Sequence, residues 1–130
     1  MERKDLTHSA SDLAVFDPAV VRRAAEGDTV FERALLALFL DDTAQRVTRI
    51  GELVHDGGDP AALRLEAHTV KGSCGNIGAP RLREAASLLE KAAAEGRGSE
   101  CPALAAAVAA EFERAAGVIA AYRDTLREGR

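Results

Sequence analysis

The residues best placed for chemistry lie in one run, Ala67-His68-Thr69-Val70-Lys71-Gly72-Ser73-Cys74-Gly75-Asn76-Ile77-Gly78. His68 is followed by a lysine at +3, a glycine at +4 and a small residue at +5. The surrounding pattern is helical, and on a helix positions +3, +4 and +7 share a face with position 0. Glycine in a helix interior costs about 1 kcal/mol relative to alanine, so Gly72 and Gly75 on the side of the imidazole need a reason. Side-chain bulk has been removed around His68 and a cation, Lys71, left beside it. That suits a histidine that another protein's active site must approach closely. The ordinary alternative is a surface histidine beside basic residues, which gives no cause for two helix-weakening glycines on its own side.

The apolar stripe of this helix is Leu63, Ala67, Val70 and Cys74. His68 follows Ala67 by one residue and so stands about 100° round the helix from it. Its same-face neighbours are Arg64, Leu65, Lys71, Gly72 and Gly75, which form the candidate partner-contact surface. Cys74 falls on the stripe and is expected to act as a small apolar filler. As a surface cation, Lys71 is expected to contribute little to stability.

Five helical segments position this run. Asp17-Pro18 starts a short helix over 19–26 that Gly27 ends, and Asp28 or Thr29 caps the next. That second helix carries Leu36, Phe39 or Leu40, Val47, Ile50 and Val54, and stops at His55-Asp56-Gly57-Gly58. Asp59 caps and Pro60 opens the histidine helix, which Gly78 can end in a left-handed conformation. Pro80 begins a fourth helix with Leu82, Ala85 or Ala86, Leu89 and Ala92 or Ala93 inward, and 95–99 is a loop. The last helix shows Leu104, Val108, Phe112, Ala115, Ile119, Tyr122 and Leu126. Four long segments with short connections predict an all-α fold, an antiparallel four-helix bundle with a short additional N-terminal helix. The domain division expected is a loosely held arm over 1–15 and the bundle over 16–128.

Composition limits the function classes. The chain has 130 residues, enough for one core, and is 47% hydrophobic but only 4% aromatic. The net charge of −4 gives no general case for nucleic-acid binding. No run approaches the roughly 18 apolar residues of a membrane span, and the amino terminus has no signal-peptide core. Cys74 and Cys101 have neither zinc spacing nor a disulfide framework, so a cytoplasmic location is expected. The initial Met and the complete set of helices favour a free-standing protein, expected to be a monomer.

The central run resembles the phosphoacceptor motif of histidine-containing phosphotransfer (HPt) domains of two-component phosphorelays. The similarity rests on His68-Thr69-Val70-Lys71-Gly72-Ser73 with Gly78 at +10. It extends to Val15-Phe16-Asp17-Pro18, Phe39-Leu40-Asp41-Asp42 and Leu88-Leu89-Glu90. The resemblance implies that His68 takes a phosphoryl group from the phospho-aspartate of a receiver domain and passes it to another receiver. It also implies that Lys71 offsets phosphoryl charge, with Arg64 adding to it, and that Gly72 and Gly75 admit the receiver's loops. Ser73 either orients the imidazole or Lys71 by a hydrogen bond or simply permits packing. An unperturbed imidazole, with a pKa near 6.5, is nucleophilic at cytoplasmic pH. Partners would be receiver domains of response regulators or hybrid histidine kinases. No cofactor of its own is expected, and Mg²⁺ would sit on the receiver.

The chain has no ATP-binding or phosphate-cradling motif, so it is expected to be a phosphocarrier and not a kinase. The alternative is a helical adaptor that binds a receiver or kinase without carrying phosphate. It would not require His68, Lys71 and Gly72 together. Glu52-Leu53-Val54-His55 is a single copy of an element that di-iron bundles use twice, and a solvated helix end explains it better. Asp41-Asp42 reads as a solvated face, and His8 has no visible partner.

Overall fold

The computed structural model describes residues 12–126. Helices are α1 (Pro18–Ala24), α2 (Thr29–His55), α3 (Pro60–Ile77), α4 (Pro80–Ala94) and α5 (Cys101–Thr125), with a 3-10 turn at Gly98–Glu100. No strand occurs among the described residues. Each of α2 to α5 packs on two of the others, α2 on α3 and α5, and α4 on α3 and α5. The fold is therefore a four-helix bundle, and α1 lies across α2 and α3 at one end. No described helix is long and apolar enough to cross a membrane. His8, most of the expected arm (1–11) and the bundle's last expected residues (127–128) lie outside the described residues.

Local chemistry sets the helix ends. Asp17, Asp28 and Asp59 each accept a hydrogen bond from a first-turn backbone N–H, at 3.0–3.1 Å, of Ala19, Phe31 and Ala61. Pro18, Pro60, Pro80 and Pro102 occupy opening positions, where a missing N–H costs nothing. Helix α1 ends before the expected Glu26, because Glu26 itself takes a positive φ of 55° ahead of Gly27. Gly78 ends α3 in the left-handed region, φ 98°. A Cβ there would lie 2.5 Å from the Asp17 carbonyl oxygen, so only glycine fits. The Asp17 N–H donates to the Gly78 carbonyl at 2.7 Å, and Arg81 N–H donates to the Ala14 carbonyl at 3.2 Å. Ala14 and Val15, placed in the arm by sequence, are thus tied to the α3–α4 turn, with Val15 against the core.

The core follows the expected stripes on α3, α4 and most of α5. Leu63, Ala67, Val70 and Cys74 are buried, as are Leu82, Ala85, Ala86, Leu89, Ala92 and Ala93. Helix α2 differs, since the buried Glu32 and Thr43 interrupt its apolar pattern. Glu32 takes a hydrogen bond from the Tyr122 hydroxyl of α5, and Arg22 of α1 donates to that hydroxyl at 3.0 Å. Phe16 meets the Tyr122 ring edge-on, with centroids 5.3 Å apart.

Candidate functional site

His68 sits midway along α3, displaced from the buried stripe as its spacing required, and its side chain is 58% exposed. The α3–α4 hairpin supplies its partner. His68 stands ten residues before Gly78 and Glu90 ten residues after Pro80. Equal helical rise from the turn brings the two to the same height. Glu90 Oε2 lies 2.8 Å from His68 Nδ1, and Glu90 Oε1 lies 2.7 Å from Lys71 Nζ. One carboxylate thus holds both residues of the sequence motif. It is well covered, with only 16% of its side chain exposed.

The Lys71 ammonium holds the Glu90 carboxyl below its ordinary value, with the His68 contact adding to it against the opposing effect of burial. An ionised carboxylate can only accept hydrogen bonds. The Nδ1 atom of His68 must therefore carry the proton and donate it. The neutral ring then has its lone pair on Nε2, which has no hydrogen-bond partner among the described residues. A fixed Nδ1–H and an open Nε2 make a one-sided nucleophile.

Lys71 corrects the expectation of a free surface cation. Its side chain is only 27% exposed and its charge faces Glu90. A Cβ at Gly72 would meet nothing within 4 Å, so no packing inside the molecule demands glycine there. Gly51 and Gly117 are equally open; what marks Gly72 is its place one turn from His68. Gly75 is not bare, because the Arg83 side chain of α4 lies over it, with Nε 3.5 Å from where a Cβ would stand. Arg64 and Leu65 are both exposed, and Arg64 makes no ion pair among the described residues. Ser73 hydrogen-bonds neither His68 nor Lys71; it lines a shallow cleft with Leu35, Leu38, Asn76 and Ile77.

The remaining candidates separate from this site. His55 Nδ1 lies 3.0 Å from Asp56 at the end of α2. No cluster of three or more His, Cys, Asp or Glu side chains able to hold a metal occurs among the described residues. Burial pushes the Cys74 thiol up to about 12, which suits a core filler and not a nucleophile. Glu90 is the site residue that sequence reasoning named only as part of a motif. The hairpin arithmetic was available to place it opposite His68.

The bundle thus presents an exposed histidine, held by a carboxylate, midway along one helix. The family model of the Hpt domain matches residues 34–118, and the chain belongs to that family. Among solved structures it is similar to histidine-containing phosphotransfer protein B (HptB) from Pseudomonas aeruginosa PAO1. The identity is 28% and the TM-score 0.79, over 85% of this chain and 96% of that one. A rice protein assigned to the same group shares the fold, with a TM-score of 0.72 and 15% identity, over 88% of this chain and 85% of that one. A search of the curated proteins by sequence finds no match. The protein is a histidine phosphotransfer protein of phosphorelay signalling, and Hpt domains of this kind work with receiver domains or histidine kinases.

Proposed function

We propose that His68 is the phosphoacceptor and that Nε2 is the atom that carries the phosphoryl group. The observation behind this is the Nδ1–Glu90 contact at 2.8 Å, which leaves Nε2 open on an exposed ring. In the forward step the Nε2 lone pair attacks the phosphorus of a receiver's phospho-aspartate. The P–O bond breaks with its electron pair going to the aspartate oxygen, and an N–P bond forms. The ring keeps its Nδ1 proton and gains positive charge, which faces Glu90. Transfer to a second receiver reverses these steps, so the ring leaves as neutral imidazole.

Phosphoryl transfer depends on in-line positioning and charge stabilisation more than on covalent help. The Mg²⁺ and acidic pocket belong to the receiver, and the bundle contributes an oriented ring on an uncrowded surface. Lys71 keeps Glu90 ionised and in place and, sharing that carboxylate with the ring, is the cation that offsets phosphoryl charge when a partner docks. Gly72 leaves room for that partner, with Arg64 and Leu65 at the other side of the ring. The adaptor alternative gives no role to a carboxylate that grips the histidine and the lysine together.

The test is phosphate uptake from a phosphorylated receiver. Wild-type protein should acquire an acid-labile, base-stable phosphate, and His68→Gln should remain folded and acquire none. Undiminished uptake by His68→Gln would move the assignment to His55 or His8.

A further inference from the structure

We infer that Arg83, laid over Gly75 at one end of the His68 face, is a specificity-determining contact for a carboxylate on the receiver domain that docks there. The inference rests on the proposed function and adds a residue on α4 that the phosphoacceptor motif does not contain.

Three observations carry it. The first is placement. Gly75 is seven residues beyond His68 on the same face, about 10 Å along the axis. A stable protein interface covers about 800 Å² on each partner, a patch of roughly 16 Å radius. A partner of that size centred on His68 Nε2 reaches Arg83 as well. The second is the absence of an internal partner. Arg83 is exposed and has no carboxylate within ion-pair distance among the described residues. Arg81, two residues earlier, is committed to structure, with Nε 3.0 Å from the Glu111 carboxylate of α5. The third is preorganisation. A Cβ at Gly75 would stand 3.5 Å from Arg83 Nε and 3.9 Å from Cδ, so the arginine stem already lies against the α3 backbone. Less side-chain freedom is lost when such a group is bound.

A guanidinium cannot shed its charge to suit an interface. Covered without a counter-charge, it would be a buried unpaired cation, which strongly disfavours docking. The partner that fits supplies an acidic side chain beside its own reactive aspartate, on the side that faces the C-terminal end of α3. A receiver with an apolar or basic residue there is rejected, so Arg83 discriminates among receivers while His68 reacts with any that dock.

The experiment measures transfer to the protein from the phosphorylated receiver that loads it fastest among those of its organism. Loading by phosphoramidate, a small donor that needs no docking, is measured in parallel. Arg83→Glu should raise KM for the receiver about tenfold or more and leave phosphoramidate loading and kcat close to wild type. Arg83→Lys should retain most of the affinity, and Arg23→Glu, an equal charge change at an exposed arginine of α1 with no ion pair among the described residues, should have little effect. An unchanged KM in Arg83→Glu overturns the inference, and so does an equal loss in Arg23→Glu, which would be general steering. A lower melting temperature with unaltered transfer would reduce Arg83 to a cation at the C-terminal end of α3 and also overturns it. If phosphoramidate loads His68 but no receiver does, the proposed function fails and this inference with it.

Discussion

At the residue scale the site is a histidine made directional by a carboxylate, and the carboxylate is held by a lysine. The His68-Lys71-Gly72 spacing was readable because it lies within one helix. The Glu90 contact was not read, because it joins residues 22 apart through a turn and needs the heights of two helices. Removal of Lys71 leaves a largely covered carboxylate with His68 as its remaining partner. Lys71→Ala should therefore cost about 1–2 kcal/mol, seen as a lower melting temperature, where a surface cation would cost almost nothing. It should also slow phosphotransfer more than Arg64→Ala, and the deficit should persist at high salt, because a local contact is screened less than long-range steering. The Glu90 carboxyl titrates below its ordinary value when folded. Its contribution to stability is thus present above the unfolded value of about 4.3 and lost as pH falls through the lower folded one. Melting temperatures across pH 3–7 should accordingly fall less steeply toward acid in Glu90→Gln than in wild type.

At the element scale most of the architecture was legible in the sequence. Asp-Pro pairs opened α1 and α3, Gly78 closed α3, and the stripes of α3 and α4 were buried as their periodicity required. Helix α2 was harder, because buried Glu32 and Thr43 occupy inward positions that a count of apolar residues passes over. The α3 glycines divide into kinds that sequence alone does not separate. Gly72→Ala meets open space and should stabilise the helix by up to about 1 kcal/mol, while Gly72→Gln should slow transfer by obstructing the partner. Gly78→Ala should do the reverse. It places a Cβ 2.5 Å from the Asp17 oxygen at a positive φ, so a loss of about 1–3 kcal/mol is expected in denaturant unfolding.

At the scale of the whole molecule each seam of the four-helix bundle carries a polar clasp beside its apolar contacts. Lys71–Glu90 joins α3 to α4, Arg46–Glu66 at 3.1 Å joins α2 to α3, and Arg81–Glu111 joins α4 to α5. Tyr122–Glu32 joins α5 to α2 and, through Arg22, to α1. With small alanine-rich stripes supplying little shape, these clasps help fix which helix faces which. The clasp on the α3–α4 seam is the one that orients His68, so the orientation of that ring and bundle assembly share a contact. Tyr122→Phe tests the wider scheme. It removes the phenol donor from a buried Glu32 and should cost about 1–3 kcal/mol, with little change in phosphate uptake because His68 lies on another seam.

The central claim is that Nε2 of His68 carries the phosphoryl group while Nδ1 keeps its proton against Glu90. Ring-nitrogen NMR of ¹⁵N-histidine-labelled protein, loaded by a phosphorylated receiver, measures this directly. The result expected is phosphorus coupling to Nε2 of His68 and a proton on Nδ1. Phosphorus coupled to Nδ1, or to a ring nitrogen of His8 or His55, would contradict the account.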